Sequence, residues 1–108
     1  RERLVVVDLV AFEHAGITIV PIESGGVGVR RVARGDAAHA AGLRARDVIC
    51  DINGMPCRHA MGVVDIFDAA ARDRVALRCT VRSATRVLGA MQRMRVLGVG
   101  RRVTPPSR

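Results

Sequence analysis

The order of apolar and polar residues along this chain predicts six short β-strands and two helices. Short runs rich in valine and isoleucine, either unbroken or alternating with polar residues, are typical of strands. Such runs occupy residues 4–10, 16–20, 27–32, 47–52, 55–57 and 75–82. An alanine-rich stretch at 36–41 and apolar residues at helical spacing over 59–71 predict the helices. The predicted order is three strands, a short helix, two strands, a long helix and a last strand.

The same pattern predicts which residues are buried. Residues 4–10 are β-branched and almost uninterrupted, which indicates a buried strand. The strand 16–20 ends at Pro21, which favours an edge of the sheet because proline donates no backbone hydrogen bond. The predicted buried face of the long helix holds Met61, Val64, Phe67 and Ala71, and that of the last strand holds Val75, Leu77, Cys79 and Val81.

A denser local pattern lies within residues 35–54. Asp36 is placed to cap the short helix through its side-chain oxygen. Gly42 fits the left-handed conformation that follows a helix, and Leu43 is then expected to fold back onto the last turn. The next strand ends in Asn53-Gly54, a dipeptide typical of two-residue hairpin turns. Turn, short helix, strand and turn thus follow one another at close spacing.

This spacing resembles the centre of a PDZ domain, whose motif reads roughly G-S-P-A-A-x-A-G-L-x-x-G-D-x-I-x-x-I-N-G. The resemblance covers about residues 3–82 and is strongest over 26–54. It implies an α+β, mainly β fold: a small, partly open antiparallel barrel or sandwich of five to six strands, capped by two helices. Residues 1–82 would form this domain, and 83–108 a basic, arginine-rich extension or linker.

The resemblance also implies a site. PDZ domains bind the last residues of a partner chain, which adds as a strand to an exposed edge, while backbone N–H groups of a loop hold the terminal carboxylate. The family's loop reads roughly Gly-Leu-Gly-Phe, and residues 14–17 match it in the second glycine and the large apolar residue. The peptide would lie between the edge strand 17–20 and the helix 60–71. The implied contact residues are His14, Ala15, Gly16, Ile17, Thr18, Ile19, Val20, His59, Ala60, Val63, Val64 and Phe67.

One position of this site has three candidates. Many family members carry a histidine at the start of the long helix, where it bonds a serine or threonine two residues before the ligand's terminus. His59 is near that place, but the loop after Asn53-Gly54 is short, and Ala60 or Met61 is an alternative. With either alternative, the ligand is expected to be apolar at that position.

The C-terminal extension carries most of the charge. The chain has a formal net charge of +8, and residues 83–108 hold six arginines and no acidic residue. An apolar stripe from Val87 to Leu97 predicts a helix that Gly98 and Gly100 would end. The extension is therefore a tail packed on the domain, a linker, or an interaction helix for RNA, an acidic protein (through residues 86–102) or a membrane surface.

No pattern for catalysis or metal binding stands out. The histidines at 14, 39 and 59 lack metal-ligand spacing, and no G-x-S-x-G motif occurs. We therefore predict no enzyme activity, no cofactor and no metal. The cysteines at 50, 57 and 79 are predicted to be buried, reduced thiols, which favours an intracellular, cytoplasmic protein. No apolar run is long enough to span a membrane.

The function favoured by these patterns is a non-catalytic scaffold or adaptor module that binds C-terminal or internal strand-forming peptides. One alternative is an architectural subunit of a large assembly, whose basic tail contacts RNA or an acidic protein. Another is a regulatory PDZ domain of a larger protease. The chain begins at Arg1 rather than at methionine, and we expect it to be part of a longer protein.

Overall fold

The computed structural model describes residues 2–22, 25–83 and the backbone of residues 97–99. These residues form strands and helices in the order β1 (Glu2–Asp8), β2 (Ile17–Pro21), β3 (Val27–Val32), α1 (Ala37–Ala40), β4 (Asp47–Ile52), β5 (Met55–Pro56), α2 (Ala60–Asp73), β6 (Ala76–Ser83) and β7 (Leu97–Val99). The elements from β1 to β6 agree in type and order with the sequence prediction.

The described strands form one open antiparallel sheet. Its order is β1-β6-β4-β3-β2-β7, and the short β5 pairs with β4. The sheet does not close, because β1 and β7 stand at its two ends. The predicted α+β, mainly β fold with two helices is confirmed. Only β7 has no counterpart among the six predicted strands.

The long helix α2 covers the core with a face shifted by one position from the predicted one. Met61 was expected on this face and is 58% exposed, whereas Val64 and Ala71 are partly buried at the margin of the core. Each helical residue turns by about 100° from the one before it, so a stripe that includes residue 60 excludes residue 61. The buried residues of α2 are Ala60, Val63, Phe67 and Ala70.

The prediction of a fully buried first strand was wrong. β1 runs from Glu2 to Asp8, and its side chains alternate, with Leu4 and Val6 exposed and Val5 and Val7 buried. An edge strand has one face on the core and the other in water, so an unbroken apolar run does not imply burial on both sides. The predicted buried face of the last strand also needs a correction. Val75 was placed on that face, but it precedes β6 and is exposed.

The pattern at residues 35–54 folds as predicted except at Asp36. Gly42 has φ +99°, and the N–H of the buried Leu43 donates to the carbonyl oxygen of Ala38 at 3.0 Å. Asn53 and Gly54 both have positive φ, as a type I′ hairpin turn requires. Asp36 occupies the N-cap position of α1, but its side chain makes no capping hydrogen bond.

The bend that leads into β4 is held by a buried carboxylate. Asp47 accepts a hydrogen bond from the backbone N–H of Arg44 at 2.9 Å and forms an ion pair with Nη2 of Arg3 at 2.7 Å. Its preceding residue, Arg46, has φ +80°, at a position where the PDZ motif quoted above has glycine. Asp47 thereby ties the bend to β1.

The tail of the chain contributes a strand where a helix was predicted. Residues 97–99 form β7, which pairs antiparallel with β2, so the part of the predicted helical stripe at Leu97 is a correction. The outer edge of β2 offers a row of backbone donors and acceptors with which another strand can pair. The rest of the predicted stripe, residues 87–96, lies outside the described residues.

Candidate peptide-binding groove

The candidate groove is built around β2. One edge of β2 pairs with β3, the other pairs with β7, and helix α2 lies beside it. Ile17 and Ile19 point into the core, with exposed fractions of 2% and 0%, while Thr18 is half-buried. Because side chains alternate along a strand, Ile17 and Ile19 share one face of β2, and Val20, which is also fully buried, lies on the other. The outer backbone edge of β2 is paired with β7.

The loop before β2 is anchored through its carbonyl groups. The carbonyl oxygens of His14 and Ala15 accept hydrogen bonds from the N–H groups of Ala37 and Ala38, at 3.0 and 2.9 Å. The carbonyl oxygen of Gly16 accepts from the N–H of Ala33 at 2.8 Å. In a planar trans peptide the N–H points opposite to the C=O. The N–H groups that follow these carbonyls, at residues 15–17, therefore point away from α1 and from Ala33.

A carboxylate lies at the back of this loop. Asp36 is buried, and a Cβ built on Gly16 would lie 2.8 Å from its Cγ. Gly16 also has φ +66°. The one glycine that this loop shares with the family pattern is therefore needed twice, for its backbone conformation and for the contact with Asp36.

The two histidines predicted at the site lie in different surroundings. His14 is half-exposed in the loop, and its Nε2 is 3.7 Å from Oε1 of Glu13. His59 is exposed and holds the N-cap position of α2, without a capping hydrogen bond from its side chain. Ala60 is the first residue of α2 and is buried.

Helix α2 presents its residues on two separate faces. Ala60, Val64 and Phe67 share one face at helical spacing, with Val63 buried next to them. His59 instead shares a face with Gly62 and Ile66, and all three line a cavity of about 440 Å³. This cavity is otherwise lined by Met55, Pro56, Cys57, Arg58 and Val63. It borders β5 and α2 and includes no residue of β2, although His59 and Val63 were both predicted to line the groove.

The backbone register shows where β7 lies relative to the loop. Val99 is opposite Ile17, Gly98 opposite Thr18 and Leu97 opposite Ile19. The strand runs antiparallel to β2 and lies next to α2. A segment of the chain itself therefore occupies the edge at which a peptide was predicted to add.

The cysteines are all thiols, and two of them are buried as predicted. Burial raises the pKa of Cys57 to about 11 and that of Cys79 to about 12, from an ordinary value of 9.0. Cys50 was also predicted to be buried but is half-exposed, because it sits near the β-bulge where β4 meets β6. Burial also raises the pKa of Cys50.

Two features of the site were missed by sequence reasoning. The contact between Asp36 and Gly16 joins residues that are far apart along the chain, and the only signal was an acidic residue where the motif has serine. The pairing of β7 was hidden by apolar residues whose spacing favoured a helix. The alternation Leu97-Gly98-Val99 fits a short strand, but three residues are too few to predict one.

The described residues hold neither a metal-binding cluster nor a membrane-spanning helix. Within residues 2–22 and 25–83, no group of three or more His, Cys, Asp or Glu side chains is placed to hold a metal ion. No helix in the described part of the chain is long and apolar enough to span a membrane.

An open antiparallel sheet with two helices in this order is the fold of a PDZ-type domain. Comparison with family models agrees, because the model of the PDZ domain matches residues 28–81. This chain belongs to the PDZ domain family, whose members are non-catalytic modules that bind peptides. A search of curated proteins found no match.

Solved structures similar to this chain are also PDZ domains. The first PDZ domain of dmPar3, in complex with the dmPar6 PBM, is 25% identical with a TM-score of 0.60; the match covers 76% of this chain and 94% of that one. The third PDZ domain of Homo sapiens Dlg5 is 27% identical with a TM-score of 0.57, covering 99% and 84%. A choanoflagellate GIPC PDZ domain bound to GAIP peptide is 18% identical, with a TM-score of 0.63 over 79% and 92%, and shows the fold alone.

Proposed function

We propose that this domain is a non-catalytic scaffold or adaptor module that binds the C-terminal residues of a partner protein by strand addition. The peptide adds to the edge strand 17–20, beside helix residues 60–71. The loop 14–17 holds the terminal carboxylate through backbone N–H groups. The observation that carries this proposal is the anchoring of three successive carbonyl oxygens of the loop on α1 and on Ala33. The N–H groups of residues 15–17 then point away from these partners, and successive N–H groups in a loop can hold an anion.

The groove sets an apolar preference for the ligand. The terminal side chain contacts a pocket of apolar residues in the core or at its margin: Ile17, Ile19, Val64 and Phe67. The helix starts at Ala60, and His59 lines the cavity on another face of α2. Ala60 therefore takes the position two residues before the ligand's terminus, and an apolar ligand residue is favoured there over serine or threonine. His59 and Met61 have lesser roles in this arrangement.

The affinity follows from the mode of binding. A short peptide gains a few backbone hydrogen bonds, one buried side chain and a charge-assisted contact at its carboxylate. Such a balance corresponds to a dissociation constant in the micromolar range, about −8 kcal/mol. The interaction of residues 86–102 with RNA or an acidic protein stays a prediction, because most of that segment lies outside the described residues. The cytoplasmic location also stays a prediction, based on the reduced cysteines.

A peptide screen with the full chain tests this function. A library with free C-terminal carboxylates is compared with the same sequences amidated. We expect binding of peptides with an apolar last residue, weakened at least about tenfold by amidation, which corresponds to ~1.4 kcal/mol. Equal binding of both forms would mean that the loop does not hold a carboxylate.

Two variants of α2 locate the binding surface. Val64→Asp places a charge on the groove face, and Ile66→Asp places the same charge on the cavity face of the same helix. We expect Val64→Asp to abolish peptide binding and Ile66→Asp to preserve it, with the fold of each variant checked by circular dichroism. Loss of binding in both folded variants, or in neither, contradicts the groove.

A further inference from the structure

We propose that residues Leu97–Val99 are an intramolecular ligand of this groove, which an external peptide must displace to bind. The proposal rests on the function proposed above for the same site. It differs from that function in assigning a resident occupant, which makes the domain self-inhibited until a stronger ligand arrives.

The register of β7 is that of a bound ligand. A peptide that adds to β2 in the proposed mode runs antiparallel to it, beside α2, with its last residue at the start of β2 next to the loop. β7 is antiparallel to β2, lies next to α2, and places Val99 opposite Ile17, the first residue of β2. The tail therefore takes the same edge, direction and position that an external peptide requires.

Backbone alternation identifies the hydrogen bonds of this pairing. The peptide between Gly16 and Ile17 directs its carbonyl to Ala33, the residue after β3, so the N–H of Ile17 faces the opposite side, toward β7. Successive residues of a strand direct their backbone groups to opposite edges, so those of Ile19 face β7 as well. Their partners Val99 and Leu97 are thus the hydrogen-bonded pairs, and Gly98, opposite Thr18, is not.

The resident segment lacks the group that an external ligand brings. Val99 is followed by Gly100 and further residues, so a peptide bond rather than a free carboxylate follows the residue next to the loop. Hydrogen bonds from N–H groups to a carboxylate are roughly twice as strong as those to a neutral acceptor. A C-terminal peptide therefore has the stronger contacts, and the tail has the advantage of its tether.

The tether determines how strongly the tail competes. Residues 84–96 join the end of β6 to the start of β7, and a short tether gives an effective concentration on the order of millimolar. The apparent dissociation constant of an external peptide is its intrinsic value divided by the fraction of molecules with an open groove. A groove that is open in about one molecule in ten weakens external binding about tenfold.

A proline in β7 tests the inference in the full chain. Val99→Pro removes the backbone N–H that faces β2. Val103→Pro is the control: it also replaces a valine of the tail by proline, but at a position outside β7. We expect a C-terminal peptide from the screen to bind Val99→Pro about tenfold more tightly than the original chain and Val103→Pro with unchanged affinity. Equal affinity for all three chains overturns the inference.

Amide hydrogen exchange reads the occupancy without any peptide. The N–H of Ile19 faces Leu97, so its exchange in Val99→Pro should be at least about tenfold faster than in the original chain and in Val103→Pro. If exchange at Ile19 is faster in Val99→Pro but none of the three chains binds a peptide, the proposed function is refuted while the resident tail is supported. Unchanged exchange at Ile19, together with tight peptide binding by the original chain, would refute the resident tail and leave the function standing.

Discussion

The Cα of Gly16 lies directly against the side chain of Asp36. A Cβ built on Gly16 would come within 2.8 Å of Cγ of Asp36, which is shorter than the distances found between real Cβ atoms and their neighbours. The contact joins the loop of the candidate groove to the first residue of the α1 region. The pair therefore links the conformation of the loop, which depends on Gly16, to the charge behind the loop, which Asp36 carries.

Gly16→Ala should destabilise the domain more than its backbone conformation alone explains. The left-handed φ of +66° costs an alanine about 1–2 kcal/mol, and the clash with Asp36 adds about 1–3 kcal/mol. Gly42→Ala is the matched control, because Gly42 has φ +99° and nothing within 4 Å of the added Cβ. Urea unfolding of both variants measures the difference, and equal losses would show that the Asp36 contact has no energetic weight.

Asp36→Asn should strengthen binding of a peptide with a free carboxylate. A negative charge beside the loop repels the ligand's terminus, and its removal is expected to gain about 1 kcal/mol, roughly fivefold in affinity. Asparagine keeps the shape of the side chain and is a good N-cap residue. The gain should shrink as salt is added and be absent for the amidated peptide; an equal gain for both peptides would rule out a charge effect.

Arg46→Gly should stabilise the domain. Arg46 has φ +80° and is exposed, so the larger residue carries a backbone cost of about 1–2 kcal/mol in the folded state. The greater freedom of glycine in the unfolded chain offsets about 0.5–1 kcal/mol of this gain. We expect a net rise of about 0.5–1 kcal/mol in the free energy of unfolding. Arg46→Ala, which keeps the left-handed cost, should show no such rise, and a matching rise there would point to the side chain instead.

Stability should fall as the pH rises above about 9. The pKa of Cys57 is raised to about 11 and that of Cys79 to about 12 in the folded domain, whereas both thiols ionise near 9.0 when unfolded. Between these values the unfolded chain loses protons that the folded domain keeps, which favours unfolding by up to about 1.4 kcal/mol per pH unit and thiol. Below pH 9 both states are protonated and the effect is absent.

The composition of the chain makes this alkaline effect specific to thiols. The chain has no tyrosine and no lysine, and arginine stays protonated to pH 12. Denaturant unfolding between pH 8 and 11 should therefore show a slope that decreases in Cys57→Ala and again in Cys57→Ala/Cys79→Ala. An unchanged slope in the double variant would assign the effect to other groups.

Local features of this fold were predictable because neighbouring residues decide them. The strand Val27–Val32 follows from its β-branched residues. The turn at Asn53-Gly54 follows from two residue types that readily adopt positive φ. Neither feature needs a distant contact. The buried face of α2 was misplaced by one residue at Met61. Several apolar residues cluster on α2, and only its docking on the sheet decides which of them are covered.

The sequence by itself determined the order of the elements from β1 to β6 and the PDZ resemblance, which in turn implies the position of the candidate groove. The order of the elements depends on periodicity and turn chemistry, which are local properties of the chain. The tertiary structure decided that His59 and Ala60 face different sides of α2, that Asp36 packs against Gly16, and that Leu97–Val99 pairs with β2. Each of these depends on contacts between residues that are far apart along the chain. The spacing of residues within one segment does not reveal which distant segment packs or pairs with it.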